Sequence, residues 1–145
     1  MELKIKRLTT DENFKLPTYA TDGSACMDVY ALTAEAQGDG SILCRTGWAV
    51  AIPEGWAMLI YSRSGMGFNQ NTRLSNCVGV IDSDYRDEVM VKLHCDIPGR
   101  LPQVKKGDRV AQFMLVPIEQ VELDEVTTLP EATSTRSGGF GSTGQ

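Results

Sequence analysis

The chain has 145 residues, 41% of them hydrophobic, which suits one domain around one core and includes no apolar run of membrane-spanning length. Its 14 Lys and Arg stand against 19 Asp and Glu, and the net charge of −5 argues against nucleic-acid binding, which needs a basic footprint. The opening MELKIKRLTT has no apolar secretory segment, so a cytoplasmic location is expected.

Strand signals follow one another along the chain. Leu3 to Leu8 partly alternates. In Ser24 to Ala31, SACMDVYA, Asp28 sits inside a strand-like run. There it is either a solvent-facing strand residue or a carboxylate for a hydrated Mg²⁺. Ala34 to Ser41 reads as a surface loop. Trp48 to Ile52 and Trp56 to Tyr61 flank the turn signal Pro53-Glu54-Gly55. Ser62-Arg63-Ser64-Gly65 follows. It is either a turn with a surface arginine or a phosphate cradle opening a short helix.

The next segment, Asn76 to Tyr85, reads NCVGVIDSDY. Asp82 follows an apolar triplet, where a carboxylate can be held at a strand's edge as a general base acting on water. Gly79 would let a ring approach the backbone, and Tyr85 could pack on a sugar. A β-turn with Asp82 and Asp84 as caps and Tyr85 as core is the competing account. From Glu88 to Cys95, alternation puts Val89, Val91, Leu93 and Cys95 on one face. Asp108 and Arg109 read as a turn's ion pair. Val110 to Ile118 is apolar nearly throughout and suits a strand buried on both faces, or in an oligomer. Gln112 lies within it and needs a backbone or ligand partner.

Cys26, Cys44, Cys77 and Cys95 lack CxxC spacing and are expected to be small buried thiols rather than zinc ligands. His94 is the only histidine, and its expected place is a surface strand position. Many short strands between turn signals imply a β-sandwich or barrel. The chain closes on Ser134 to Gln145, STRSGGFGSTGQ. Nine of these twelve residues are Gly, Ser or Thr, too polar a set to fold alone. The segment is either a flexible terminus or a lid in which Arg136 grips phosphate and Phe140 stacks on a flat ring.

Taken in order, SACMDVYA, SRSG, NCVGVIDSDY, GDRVAQ and GGFGSTG resemble the five motifs of the homotrimeric dUTPase family. The resemblance implies an all-β, jelly-roll-like barrel or sandwich over residues 1–130, with a flexible Gly-rich lid over 131–145. It implies Mg²⁺-assisted hydrolysis of dUTP to dUMP and pyrophosphate by a homotrimer whose active sites are shared between subunits. By position, Asp82 would activate the water and Asp28 would sit near Mg²⁺ through water. Arg63, Ser64, Gly65 and Gln112 would hold phosphates. Asn76, Gly79, Val80 and Ile81 would read uracil, with Met90 bordering substrate. Tyr85 would pack on deoxyribose. Arg136 would clamp phosphate, and Phe140 with Gly141 would close over the base.

The chain departs from the family's usual pattern at several places. Cys26 and Asp87 stand where Gly is common, Ser62 where Pro is, and Asn71 where Gly is. Arg136 lies four residues before Phe140 rather than five. A dCTP deaminase-like enzyme on the same fold and a nucleotide-sensing binding module are the competing functional readings.

Overall fold

The computed structural model describes residues 1–133. Eleven strands and one short helix are present among them. The larger sheet has the order β2 (Thr18–Tyr19), β3 (Met27–Tyr30), β11 (Arg109–Pro117), β7 (Trp56–Tyr61) and β9 (Val78–Ile81). The second has the order β4 (Thr33–Ala36), β5 (Ser41–Arg45), β10 (Met90–Cys95) and β8 (Thr72–Leu74). A two-stranded sheet pairs β1 (Lys4–Arg7) with β6 (Trp48–Ala51). All recorded pairings are antiparallel, as the all-β, jelly-roll-like expectation requires.

The core lies between the two larger sheets. Val29, Met58, Ile60, Ala111 and Phe113 come from one, and Ile42, Cys44, Leu74, Val91 and Leu93 from the other. Trp48 is fully buried and packs a tilted ring 6.1 Å from that of Phe113. Burying an aliphatic or phenyl side chain of this kind contributes about 1.5–3 kcal/mol before entropy is counted. The alternation from Glu88 to Cys95 is borne out, since Val89, Val91, Leu93 and Cys95 are all buried.

Several local readings change. Ala34 to Ser41 is not simply a surface loop. Ala34 to Ala36 belong to β4, which pairs with β5, so Glu35 and the alanines take an extended form that their own propensities do not favour. Strand β11 is buried only over Val110, Ala111 and Phe113, and it grows more exposed toward Pro117. Cys44 and Cys95 are buried and Cys26 is half-buried, but Cys77 is exposed. His94 is half-buried, on the face of β10 opposite the buried residues.

The helix α1 (Ser64–Gln70) begins directly after Arg63 and ends on Asn71, whose φ of 49° and ψ of 37° are left-handed. Asn supplies that conformation without glycine, its side chain being short and polar. Cys77 also has a positive φ, of 64°. Cys26 and Asp87 do not, so neither position demands glycine's backbone freedom.

Candidate active site

Two cavities gather most of the candidate residues. The first, of about 420 Å³, is lined by Asp28, Arg63, Ser64, Gln112 and Arg109, together with Ser24 and Cys26. Strands β3 and β11 are neighbours with Gln112 opposite Asp28, and β7 delivers Arg63 beside them. Asp28 is 8% exposed, and its carboxylate is held from both sides. Arg63 Nε donates to Oδ1 at 2.9 Å, and Arg109 Nη1 donates to Oδ2 at 3.0 Å. Two guanidiniums around one carboxylate leave the group net positive, which suits an anion.

The loop before α1 is pinned independently. Ser62 Oγ accepts the Leu74 N–H at 2.9 Å, and the Ser62 carbonyl accepts Gln112 Nε2 at 2.9 Å. Gln112 therefore has the backbone partner that a polar residue in an apolar strand needs. The hydroxyl of Ser62 also gives this position a strut that proline cannot supply. Gly65 is exposed, and a Cβ there would meet nothing within 4 Å.

The second cavity, of about 300 Å³, is lined by Asn76, Gly79, Val80, Ile81 and Met90, with Leu43, Ile60 and Lys92 among its other walls. Among the described residues, strand β9 is the outer strand of its sheet and pairs only with β7. One row of its backbone N–H and C=O groups thus has no strand partner and can read the polar edge of a flat ring. Gly79 is buried opposite Ile60. A Cβ on it would lie 3.3 Å from the Ile60 Cβ and 3.6 Å from Asn76 Nδ2.

Asp82 and Tyr85 follow β9 without lining either cavity. Asp82 is exposed, and its carbonyl accepts the Tyr85 N–H at 3.2 Å in a turn. Among the described residues no donor holds its carboxylate, so the capping account of Asp82 does not apply. Tyr85 is half-buried against the core, and its hydroxyl donates to the Glu88 carbonyl at 2.9 Å. That bond fixes the ring beyond the end of β9. Arg136, Phe140 and Gly141 lie outside the described residues.

Arg109 is the residue that sequence reasoning missed. It does not pair with Asp108. The Asp108 carboxylate instead accepts the Lys105 N–H at 2.9 Å, closing the turn before β11. The signal was a lone cation at the start of an apolar strand, but its partner lies 81 positions away.

The net-positive Asp28 site would receive a hydrated cation only together with a bound anion such as a phosphate. Each carboxylate oxygen accepts one guanidinium N–H and keeps acceptor capacity for a metal-bound water. Direct ligation would displace an arginine. Among the described residues no three His, Cys, Asp or Glu side chains form a metal-binding group. This donor set matches Mg²⁺, which keeps several waters and takes its remaining ligands from one or two carboxylates and substrate phosphates.

Fold and cavities define the class: a jelly-roll-like all-β protein with a cation-lined cavity set apart from one walled by a strand edge. The dUTPase family model matches residues 12–144, and the chain belongs to that family. By that membership it is an enzyme, a dUTP diphosphatase. The chain is 40% identical to the deoxyuridine 5'-triphosphate nucleotidohydrolase of Anaplasma marginale, over 99% of each protein. It is also 40% identical to that of Zymomonas mobilis, over 99% of this chain and 98% of the relative. Among solved structures, the dUTPase of Staphylococcus bacteriophage 80alpha with dUpNHpp superposes with a TM-score of 0.78. The two are 25% identical over 99% of this chain and 98% of the phage protein. No helix among the described residues is long and apolar enough to cross a membrane.

Proposed function

We propose that this chain hydrolyses dUTP to dUMP and pyrophosphate with Mg²⁺, through a water activated by Asp82 and directed at the α-phosphorus. One observation carries the reading. In a chain of the dUTPase family, Arg63, Ser64 and Gln112, expected to hold phosphates, line one cavity, and Asn76, Gly79, Val80 and Ile81, expected to hold uracil, line another.

In this reading uracil enters the cavity of Asn76, Gly79, Val80, Ile81 and Met90, and its polar edge meets the free backbone edge of β9. Exclusion of a 5-methyl group rejects thymine, and a mismatched donor pattern rejects cytosine. Tyr85 packs on deoxyribose and leaves no room for a 2′-hydroxyl. Arg63, Ser64, Gly65 and Gln112 hold the phosphates. Asp28 keeps Arg63 in place and accepts from metal-bound water. Mg²⁺, when bound, supplies charge neutralisation and orientation of the phosphate oxygens. Asp82, whose carboxylate accepts no hydrogen bond among the described residues, takes the proton of the attacking water. The segment 131–145 closes as a lid, with Arg136 on phosphate and Phe140 and Gly141 over the base.

The assembly proposed is a homotrimer with shared sites. The two cavities have no lining residue in common, so a second chain can complete each of them. Val121, Leu123 and Leu129 are exposed apolar residues that an assembly would cover.

Pyrophosphate release from dUTP, dCTP, dTTP and UTP over a range of Mg²⁺ concentrations tests the reaction. Release from dUTP alone is expected, with turnover lost and binding largely kept in Asp82→Asn. No release from dUTP at any Mg²⁺ concentration would reject the proposal. Ammonia release from dCTP would point to a deaminase instead.

A further inference from the structure

Residues 82–89 join β9 to β10 without belonging to a strand, and they carry both Asp82 and Tyr85. Among the described residues, the backbone hydrogen bonds of this link up to Asp87 are local. The Tyr85 N–H donates to the Asp82 carbonyl, and Arg86 Nη1 donates to the carbonyls of Ser83 and Tyr85. Such bonds close turns but do not tie the link to the rest of the chain. Its far end is held differently. The Glu88 side chain is 11% exposed, and both of its carboxylate oxygens are occupied. Oε1 accepts the Gly47 N–H at 2.7 Å, and Oε2 accepts Arg45 Nε at 2.9 Å and Nη2 at 2.5 Å.

The turn from β5 to β6 that supplies these donors is itself fixed. The Gly47 carbonyl accepts the Leu8 N–H at 2.8 Å. Gly47 has a φ of 77°, and a Cβ there would lie 2.7 Å from Leu32 Cδ2, so only glycine fits. The peptide unit after Glu88 is fixed as well. Its N–H, from Val89, donates to the Trp48 carbonyl at 3.0 Å. Its C=O points the opposite way, as in any trans peptide, and accepts the Tyr85 hydroxyl at 2.9 Å. A surface ion pair would gain little from being drawn out of water or from a backbone N–H on the same turn. Both features suit a residue that sets where the Tyr85 ring sits.

We propose that Glu88 is a positioning residue for Tyr85 and, through that ring, a determinant of the choice between deoxyribose and ribose. Glu88 lines neither cavity of the site and acts through the seat of the Tyr85 hydroxyl. The proposal rests on dUTP hydrolysis with Tyr85 packed on the sugar, and adds a residue to that reading.

The test compares the full chain with Glu88→Ala, Glu88→Gln, Tyr85→Phe and the double variant of Tyr85→Phe with Glu88→Ala. It reads kcat/KM for dUTP and the inhibition constants of dUDP and UDP, which differ only in the 2′-hydroxyl. Glu88→Ala is expected to lower kcat/KM about 10-fold and the UDP-to-dUDP ratio of inhibition constants about fivefold, since a small displacement of a positioning group is costly. Glu88→Gln keeps an acceptor for the Gly47 N–H but loses the ion pair, so its ratio is expected between those of wild type and Glu88→Ala. It carries the comparison if Glu88→Ala does not fold. In the Tyr85→Phe background, which lacks the hydroxyl, Glu88→Ala is expected to change the ratio by less than about twofold, as residues acting through one contact do. An unchanged ratio in Glu88→Ala, or in Glu88→Gln where that variant stands in, overturns the proposal. So does a full further loss in the Tyr85→Phe background. Equal weakening of both inhibitors overturns it too, because that marks general damage to the fold. A wild-type chain inactive on dUTP overturns the underlying reaction instead, whereas an active wild type with an unaffected ratio in the Glu88 variants overturns only the role of Glu88.

Discussion

Arg63 and Asp28, 35 positions apart in the chain, are joined through a 2.9 Å bond from Nε to Oδ1. The bond ties the loop before α1 to the middle strands of the larger sheet. Asp28 is therefore a structural strut for the Arg63 guanidinium, and a carboxylate buried this deeply would be costly without its two partners.

Replacing Asp28 with Asn removes that strut's charge and sets two guanidiniums side by side. Stability to denaturant is expected to fall by about 1–3 kcal/mol, below the cost of breaking a fully buried pair because both arginines are partly exposed. The value of kcat/KM for dUTP is expected to fall about 100-fold, since a small misplacement of a positioning group costs that much. Wild-type kinetics in Asp28→Asn would show that Arg63 is held by other means.

Gly79 faces the buried Ile60 with little space between them. Its hypothetical Cβ would sit 3.3 Å from the Cβ of Ile60, which is 2% exposed and fixed in β7. Gly79→Ala is expected to push β9 outward, costing about 1–3 kcal/mol as overpacking does. The accompanying loss should appear as weaker deoxyuridine inhibition with pyrophosphate inhibition retained. Equal retention of both would place uracil elsewhere.

Two separate cavities on one chain lead to a complementation test. Asp82→Asn and Arg63→Gln are each expected to be inactive alone. When the two variants are co-expressed, mixed forms of the proposed trimer should recover a fraction of wild-type turnover, because in that proposal some sites combine intact groups from different chains. Failure to recover any activity in mixed trimers of confirmed mass would mean that each site is built within one chain.

Cys44 carries a pH signature. Burial in the core, reinforced by the negative charge of Asp108, pushes its thiol up from 9.0 to about 12. In the unfolded chain the thiol loses its proton above about pH 9, while the folded chain keeps it until about pH 12. Its contribution to stability is thus complete below pH 9 and is lost as the pH rises toward 12. Melting temperatures of wild type and Cys44→Ala should converge over that interval, the variant being less stable at pH 8 because of its cavity. Parallel curves would remove Cys44 as a source of the slope.

Much of this was legible in the residues. The alternation of Val89, Val91, Leu93 and Cys95 defined a buried face because strand periodicity is a local property. A short helix opening after Arg63 was one of two readings of Ser62 to Gly65, and the structure selects it. The motif order also identified which side chains to examine, and Asn76, Gly79, Val80, Ile81 and Met90 do meet at one cavity.

Partnership was not legible. Nothing local shows that β6 and β7, neighbours in sequence, enter different sheets, or that Ala34 to Ala36 find a strand to pair with. The same holds for Arg109, whose adjacent acid is Asp108 but whose actual partner is Asp28. By itself the sequence determined the buried face of Glu88 to Cys95, the all-β class and the family to which the chain belongs. The tertiary structure alone decided that Asp28 holds two arginines, because the pairing of β11 with β3 slips at Val110 and turns Arg109 toward it. Side-chain alternation is written into each strand, but register and bulges arise only where two distant strands meet.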